Sequence, residues 1–188
     1  MKKYSLYLLL CFVWAIAPAA LLFGQDFDYH RDFKEMLERS KRQSDPYYYP
    51  SLLQRFNTCD SNLTDRDVVA LQIGFTAHPE YKPYKTIDKE SAILDLVAQK
   101  LYEKAIVACD ELLQTNPVDF TAVLEKGFCY MNLGKPDPCY KEKALMLIRC
   151  IKWSGDGSQA RPCFVLSPID GQTFITHILG GSLGTMGS

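Results

Sequence analysis

Between residues 88 and 134 apolar side chains recur at helical spacing and stop where a helix cannot continue, so this stretch is committed to a series of short helices. Ala92, Ile93, Leu96 and Val97 form one run, and Leu101, Ala105, Ile106, Cys109, Leu112 and Leu113 form a second. Asn116-Pro117 ends the second run, because proline disfavours helical geometry in the residue before it. Asp119 can cap a third helix that carries Ala122, Val123, Gly127 and Tyr130 and ends at Gly134. Small Ala105 and Gly127 predict a close approach of neighbouring helices, with Tyr130 filling the space between them.

On Ala105, Leu112, Pro117, Ala122, Gly127, Tyr130 and Gly134, at their spacing from one another, the segment resembles a tetratricopeptide repeat. The resemblance covers about one and a half repeats. It departs from the pattern at Ile93, where the repeat prefers glycine, and the return helix with Ala144, Leu147, Ile148 and Ile151 is displaced by an insertion at 135–139. Repeats of this kind bury a core only by stacking on neighbours, so the flanks must supply the missing partners.

The flanks have the means. Tyr29, Phe33, Met36 and Leu37 make one face of a helix that ends before Asp45-Pro46, and a short helix with Leu52, Leu53 and Phe56 follows Tyr47, Tyr48 and Tyr49. Thr64 and Asp67 have the spacing of a capping box for a helix with Val68, Val69, Leu71 and Gln72. Beyond Trp153 the pattern changes. Ser154-Gly155-Asp156-Gly157-Ser158 reads as a turn, Cys163-Phe164-Val165-Leu166 as a short strand, and Asp170-Gly171 as a hairpin turn with 173–178 returning. The expected fold is therefore mainly α, a tetratricopeptide-like helical-hairpin array over 88–152 with a small C-terminal β-hairpin over 162–178. Together they form one domain over 26–180, followed by a frayed tail over 181–188.

Ahead of the domain, Lys2 and Lys3 precede an uncharged apolar run over 4–23, then Gly24 and an abruptly polar Gln25-Asp26-Phe27-Asp28. These are the ordered features of a secretory signal peptide over 1–25, cleaved near Gly24-Gln25, and they predict an exported protein, periplasmic or secreted. An uncleaved leader would be its contact with a membrane. Cleavage removes Cys11 and leaves Cys59, Cys109, Cys129, Cys139, Cys150 and Cys163. In an exported chain an even number of cysteines allows disulfides, whereas buried thiols suit Cys109, Cys129 and Cys150, which lie among Ala, Leu and Ile in helical patterns. No pairing follows from the spacing.

Several motifs in a fixed order resemble an uncharacterised family of exported bacterial proteins, domain of unknown function 4919. They are the leader, Asp45-Pro46 with Tyr49, Leu52-Leu53-Gln54-Arg55-Phe56, Leu63-Thr64, the Gly74 region with Tyr81-Lys82-Pro83-Tyr84, and Ser154-Gly155-Asp156-Gly157. That family tends to have two tyrosines before the glycine, where this chain has Gln72-Ile73, so no role of those tyrosines carries over. The resemblance implies export and a mainly helical, repeat-like fold, and it implies no activity.

Charge and motifs narrow the function. A net charge of -1 argues against nucleic acid, whose binding rests on a basic excess. His30, His78 and His177 fall in three different elements and in no metal motif, and no cysteine set has zinc spacing, so no metal, cofactor or catalytic residue is assigned. Ser154, Asp156 and Ser158 make a possible ligand loop, since amides of a glycine-rich turn can hold an anion; the plainer reading is a tight connection. The repeat resemblance implies a concave face receiving Ile87, Glu90, Leu94 and Val97 from one helix and Thr121, Leu124, Phe128 and Met131 from another. It is apolar where peptide-carboxylate clamps carry Lys, Arg and Asn. Either a partner's hydrophobic helix or strand enters it, or the chain's own terminal segments fill it. The expected role is a protein- or peptide-binding or scaffold module, with a hydrolase or a thiol-redox protein as alternatives; nothing in the sequence sets an oligomeric state.

Overall fold

A computed structural model describes residues 27–182. The leader with its cleavage point and the tail from 183 onward lie outside the described residues.

The centre of the fold is a helix buried on every side beyond its first turn. In α3 (Asp65–Phe75) every residue from Val68 to Phe75 is buried, and Val68, Val69, Leu71 and Ile73 are fully so. A helix with this pattern belongs in a core rather than on a surface. It starts at a complete capping box: Asp67 N donates to Thr64 Oγ1 (3.2 Å) and Thr64 N donates to Asp67 Oδ2 (3.0 Å). Packed against α3 are α1 (Tyr29–Ser40) through Met36, α2 (Tyr49–Asn57) through Leu52 and Phe56, and α7 (Pro138–Ser154) through Met146, Leu147 and Cys150. The tight crossing is at Gly74, where a Cβ would lie 3.1 Å from the Cβ atoms of Ser40 and Tyr49.

From α7 the array continues outward through α6 (Phe120–Asn132), α5 (Tyr102–Thr115) and α4 (Ile87–Ala98), neighbours packing in that order and α4 also touching α6. Ile93, Cys109, Leu112 and Ala122 form a second, smaller core inside α4 to α6. Asn116 and Pro117 terminate α5 as the sequence predicts, Asp119 caps α6 through Ala122 N (2.8 Å), and Gly134 beyond it takes φ +68°. The 135–139 insertion opens α7: Asp137 accepts from Cys139 N and Tyr140 N, with Pro138 as the first helical residue. At Gly127 an imagined Cβ would stand in ordinary contact with Tyr140, 3.7 Å from its Cβ and 3.8 Å from its backbone C and O, without the crowding seen at Gly74.

The C-terminal β-hairpin expected over 162–178 is not formed; there is no strand among the described residues. Asp170-Gly171 lies inside α8 (Pro168–Thr173), which runs directly into a π-helical turn (Phe174–Ile178). Ser167 caps that helix by accepting from Asp170 N (3.0 Å), and Pro168 follows at its first position, a start signal that outweighs the Asp-Gly turn signal. The segment over 163–166 then has no strand to pair with. Side chains serve its backbone: Phe164 N donates to Ser154 Oγ (2.8 Å), and Leu166 O accepts from Tyr81 Oη (3.1 Å). Helix α8 lies across α4 and α6.

Cys59 and Cys139 are joined in a disulfide that ties the end of α2 to the start of α7, while Cys109, Cys129 and Cys150 are buried thiols. Among the described residues no helix is long and apolar enough to cross a membrane.

Candidate binding groove

Helices α4, α6 and α7 do not close on one another along their full length. Between them runs a groove of about 1260 Å³, open to solvent and lined mostly by carbon. Leu94 and Val97 enter it from α4, and Leu124, Phe128 and Met131 from α6. The facing wall is α7, with Tyr140, Ala144, Leu145 and Ile148, and the π-helical turn closes one end with His177 and Ile178. Several of these side chains face water: Phe128 is 41% exposed, Met131 58% and Leu145 40%. Isolated exposed apolar residues are ordinary, whereas a contiguous concave set is characteristic of recognition surfaces.

Five of the eight residues placed on the concave face from sequence, Leu94, Val97, Leu124, Phe128 and Met131, thus share one recess. Ile87 and Glu90 do not. Both lie toward the start of α4, the helix that α8 crosses; Glu90 is fully buried, and Ser167 Oγ donates to its Oε2 (3.3 Å). Thr121 is likewise buried, its N–H and hydroxyl both on Asp170 Oδ1 (3.2 and 3.3 Å). The α7 wall and the His177–Ile178 end were not assigned to this face from sequence. The signal for the wall was present in the periodicity of Ala144 and Ile148, but the end was concealed by reading 173–178 as a strand.

Two polar arrangements border the groove. Glu125 on α6 is buried, and its Oε1 lies 3.1 Å from His177 Nδ1. Burial pushes the Glu125 carboxyl above its ordinary range, and His177 partly offsets the shift. Lys126 points away to a second pair: its Nζ donates to Tyr140 Oη (2.7 Å) and to Asp110, and sits 4.2 Å from the centre of the Tyr140 ring. Together these contacts fix Tyr140, the residue that backs Gly127 in the groove wall.

Other candidates from the sequence are engaged in packing or turn closure. Ser154 Oγ donates to Ile151 O (2.7 Å) and accepts from Phe164 N (2.8 Å). Asp156 accepts from Ser158 N (2.9 Å), Ser158 Oγ accepts from Arg161 N (3.1 Å), and the amides of Asp156 and Gly157 both donate to Arg161 O. Gly155 is extended (φ -177°), and its role is close approach: a Cβ there would meet Pro162 O at 2.3 Å. His30 lies edge-on to Tyr29 and His78 stacks on Phe75, so the three histidines stay on separate elements. Tyr49 stacks on Phe75 as well, and Tyr47 lies under the Arg39 guanidinium at 4.2 Å. The thiols of Cys109, Cys129, Cys150 and Cys163 are all pushed up, chiefly by burial, Cys129 to about 11. A reactive cysteine has the opposite shift.

The model of a protein family described as Domain of unknown function (DUF4919) matches residues 34–178. No curated protein and no solved structure matches the chain.

Proposed function

This chain belongs to the DUF4919 family, and we propose that it is an exported binding module whose α4–α6–α7 groove receives an apolar helix of a protein or peptide partner. In this reading α4 to α7 are two tetratricopeptide-like hairpins, and their apolar inner face grips side chains in place of a terminal carboxylate. The observation that carries it is the convergence of Phe128, Met131 and Leu145, all substantially exposed, on one concave surface with Leu94, Val97 and Leu124 beneath. With no sheet edge among the described residues to extend by main-chain pairing, recognition would rest on apolar anchors at helical spacing. Export is supported by the leader-like sequence over 1–25 and by the Cys59–Cys139 disulfide, a bond that persists in oxidising compartments.

The test is selection of helical peptides from a displayed library on wild-type protein and on a Phe128→Glu, Met131→Glu variant. Both positions are exposed, so the variant should melt within about 1 kcal/mol of wild type. The expected result is a set of amphipathic peptides that shift amide resonances of α4, α6 and α7 and bind the variant about tenfold or more weakly. Peptides that bind both proteins equally, or resonance shifts confined to other helices, would remove the groove from consideration.

A further inference from the structure

Three carboxyl groups meet where α8 crosses the array. Glu90 comes from α4, Asp119 is the N-cap of α6 and Asp170 lies in the first turn of α8; they are 0%, 0% and 1% exposed. One oxygen from each lies within 4.8 Å of the other two. The fold holds each carboxyl by a donor on one side: Ser167 Oγ on Glu90 Oε2 (3.3 Å), Ala122 N on Asp119 Oδ1 (2.8 Å), and Thr121 N on Asp170 Oδ1 (3.2 Å). On the other side two oxygens are left over. Glu90 Oε1 and Asp170 Oδ2 are buried with no hydrogen-bond partner. Asn116 adds a third orphan: its Nδ2 donates to Asp119 Oδ2 (3.0 Å), and its own Oδ1 is buried without a donor. Buried oxygens are nearly always satisfied, and the charges acting most on Asp119 and Asp170 are those of the other carboxyls.

We propose that Glu90, Asp119 and Asp170 form a binding site for one hard divalent cation of the calcium class, which fastens α8 to α4 and α6. An all-oxygen donor set selects calcium, magnesium or manganese over zinc or copper. Three oxygens within 4.8 Å of one another can share one ion; calcium accepts irregular oxygen sets at about 2.4 Å, whereas magnesium demands near-octahedral geometry at about 2.1 Å and gives up its waters reluctantly, so a fully buried set favours calcium. The orphan oxygens of Glu90 and Asp170 are the ready ligands, and Asn116 Oδ1 is a neutral oxygen attached to the same cluster. The inference is independent of what occupies the groove. Its rival is neutralisation by protons, since burial and then Glu90 hold Asp170 up at about 7.

The experiment is calorimetric and thermal titration of metal-depleted protein with Ca²⁺, Mg²⁺ and Mn²⁺ at neutral pH. The expected result is one-to-one Ca²⁺ binding, tighter than Mg²⁺, with a raised Tm. Mn²⁺ should broaden the amide resonances of Thr121, Ala122 and Asp170, and Glu90→Gln should weaken Ca²⁺ by about tenfold or more. If Glu90→Gln does not fold, Asp170→Asn replaces it, keeping the Oδ1 acceptor that Thr121 uses; the wild-type titration needs neither. An unchanged Tm at millimolar concentrations of all three ions, Mn²⁺ broadening centred elsewhere, or undiminished binding by the variant overturns the site and leaves the carboxyls to protons.

Discussion

His177 Nδ1 lies 3.1 Å from Glu125 Oε1, joining the last helical turn described to the buried side of α6 at the end of the groove. Glu125 is 3% exposed, and its carboxyl sits above its ordinary range in the folded state, because burial outweighs the help of His177. A carboxyl raised in this way contributes stability that is complete below its unfolded pKa and is lost as pH rises through the folded one. Glu125→Gln should therefore melt like wild type near pH 4 and above it at pH 8. Thermal melts across that range test this, and a variant less stable than wild type at pH 8 would show that the His177 contact outweighs the cost of burial.

The Cys59–Cys139 disulfide closes a loop with a sequence separation of 80, so the unfolded chain loses much freedom when the bond is present. On chain-entropy grounds its removal costs about 4 kcal/mol. A Cys59→Ser, Cys139→Ser variant should show this as a lower denaturant midpoint with a raised m-value, since the denatured chain without the bond exposes more surface. In the same material, brief alkylation of native protein should mark Cys163, which is partly exposed, and spare buried Cys109, Cys129 and Cys150. Peptide mass mapping reads the pattern directly.

Two glycines should respond oppositely to a methyl group. Gly155→Ala forces a Cβ onto the Pro162 carbonyl, which is backbone and cannot swing aside, and should cost about 1–3 kcal/mol. Gly127→Ala places its Cβ in ordinary contact with Tyr140 inside α6, and should stabilise by up to about 1 kcal/mol through helix propensity. Equal effects in urea melts would mean that the 155–162 turn relaxes freely.

Lys126 and Tyr140 should behave as a coupled pair. Tyr140→Phe removes an acceptor from a buried ammonium and should cost about 1–2 kcal/mol. In a Lys126→Met background the same change should be close to neutral. A double-mutant cycle measures the coupling, and additive effects would mean that Asp110 alone satisfies the lysine.

Signals that act over three or four residues were legible in the chain. The Thr64–Asp67 box, the Asp119 cap and the Asn116-Pro117 stop are each decided by hydrogen bonds a turn away, and each stands where the sequence indicates. The C-terminal hairpin failed on the same scale, because Asp170-Gly171 and Ser167-Pro168 are both local signals pointing to different structures. Packing settled the choice. As a helix, the segment sets Asp170 and Thr173 against Thr121 and buries Phe174 against Phe120. An isolated hairpin would have had only its own two strands.

By itself, then, the sequence determined, ahead of the C-terminal segment over 162–178, where helices start and stop and which stripe of each is apolar, since turn periodicity and capping chemistry are properties of neighbouring residues. Tertiary structure alone decided which stripes face each other. It joined Cys59 to Cys139, left Phe128 and Met131 open beside Leu145, and drew Glu90, Asp119 and Asp170 together from three helices. Those relationships depend on how whole helices cross, which is set by the volume of every side chain in the shared core at once, and no short stretch of the chain encodes it.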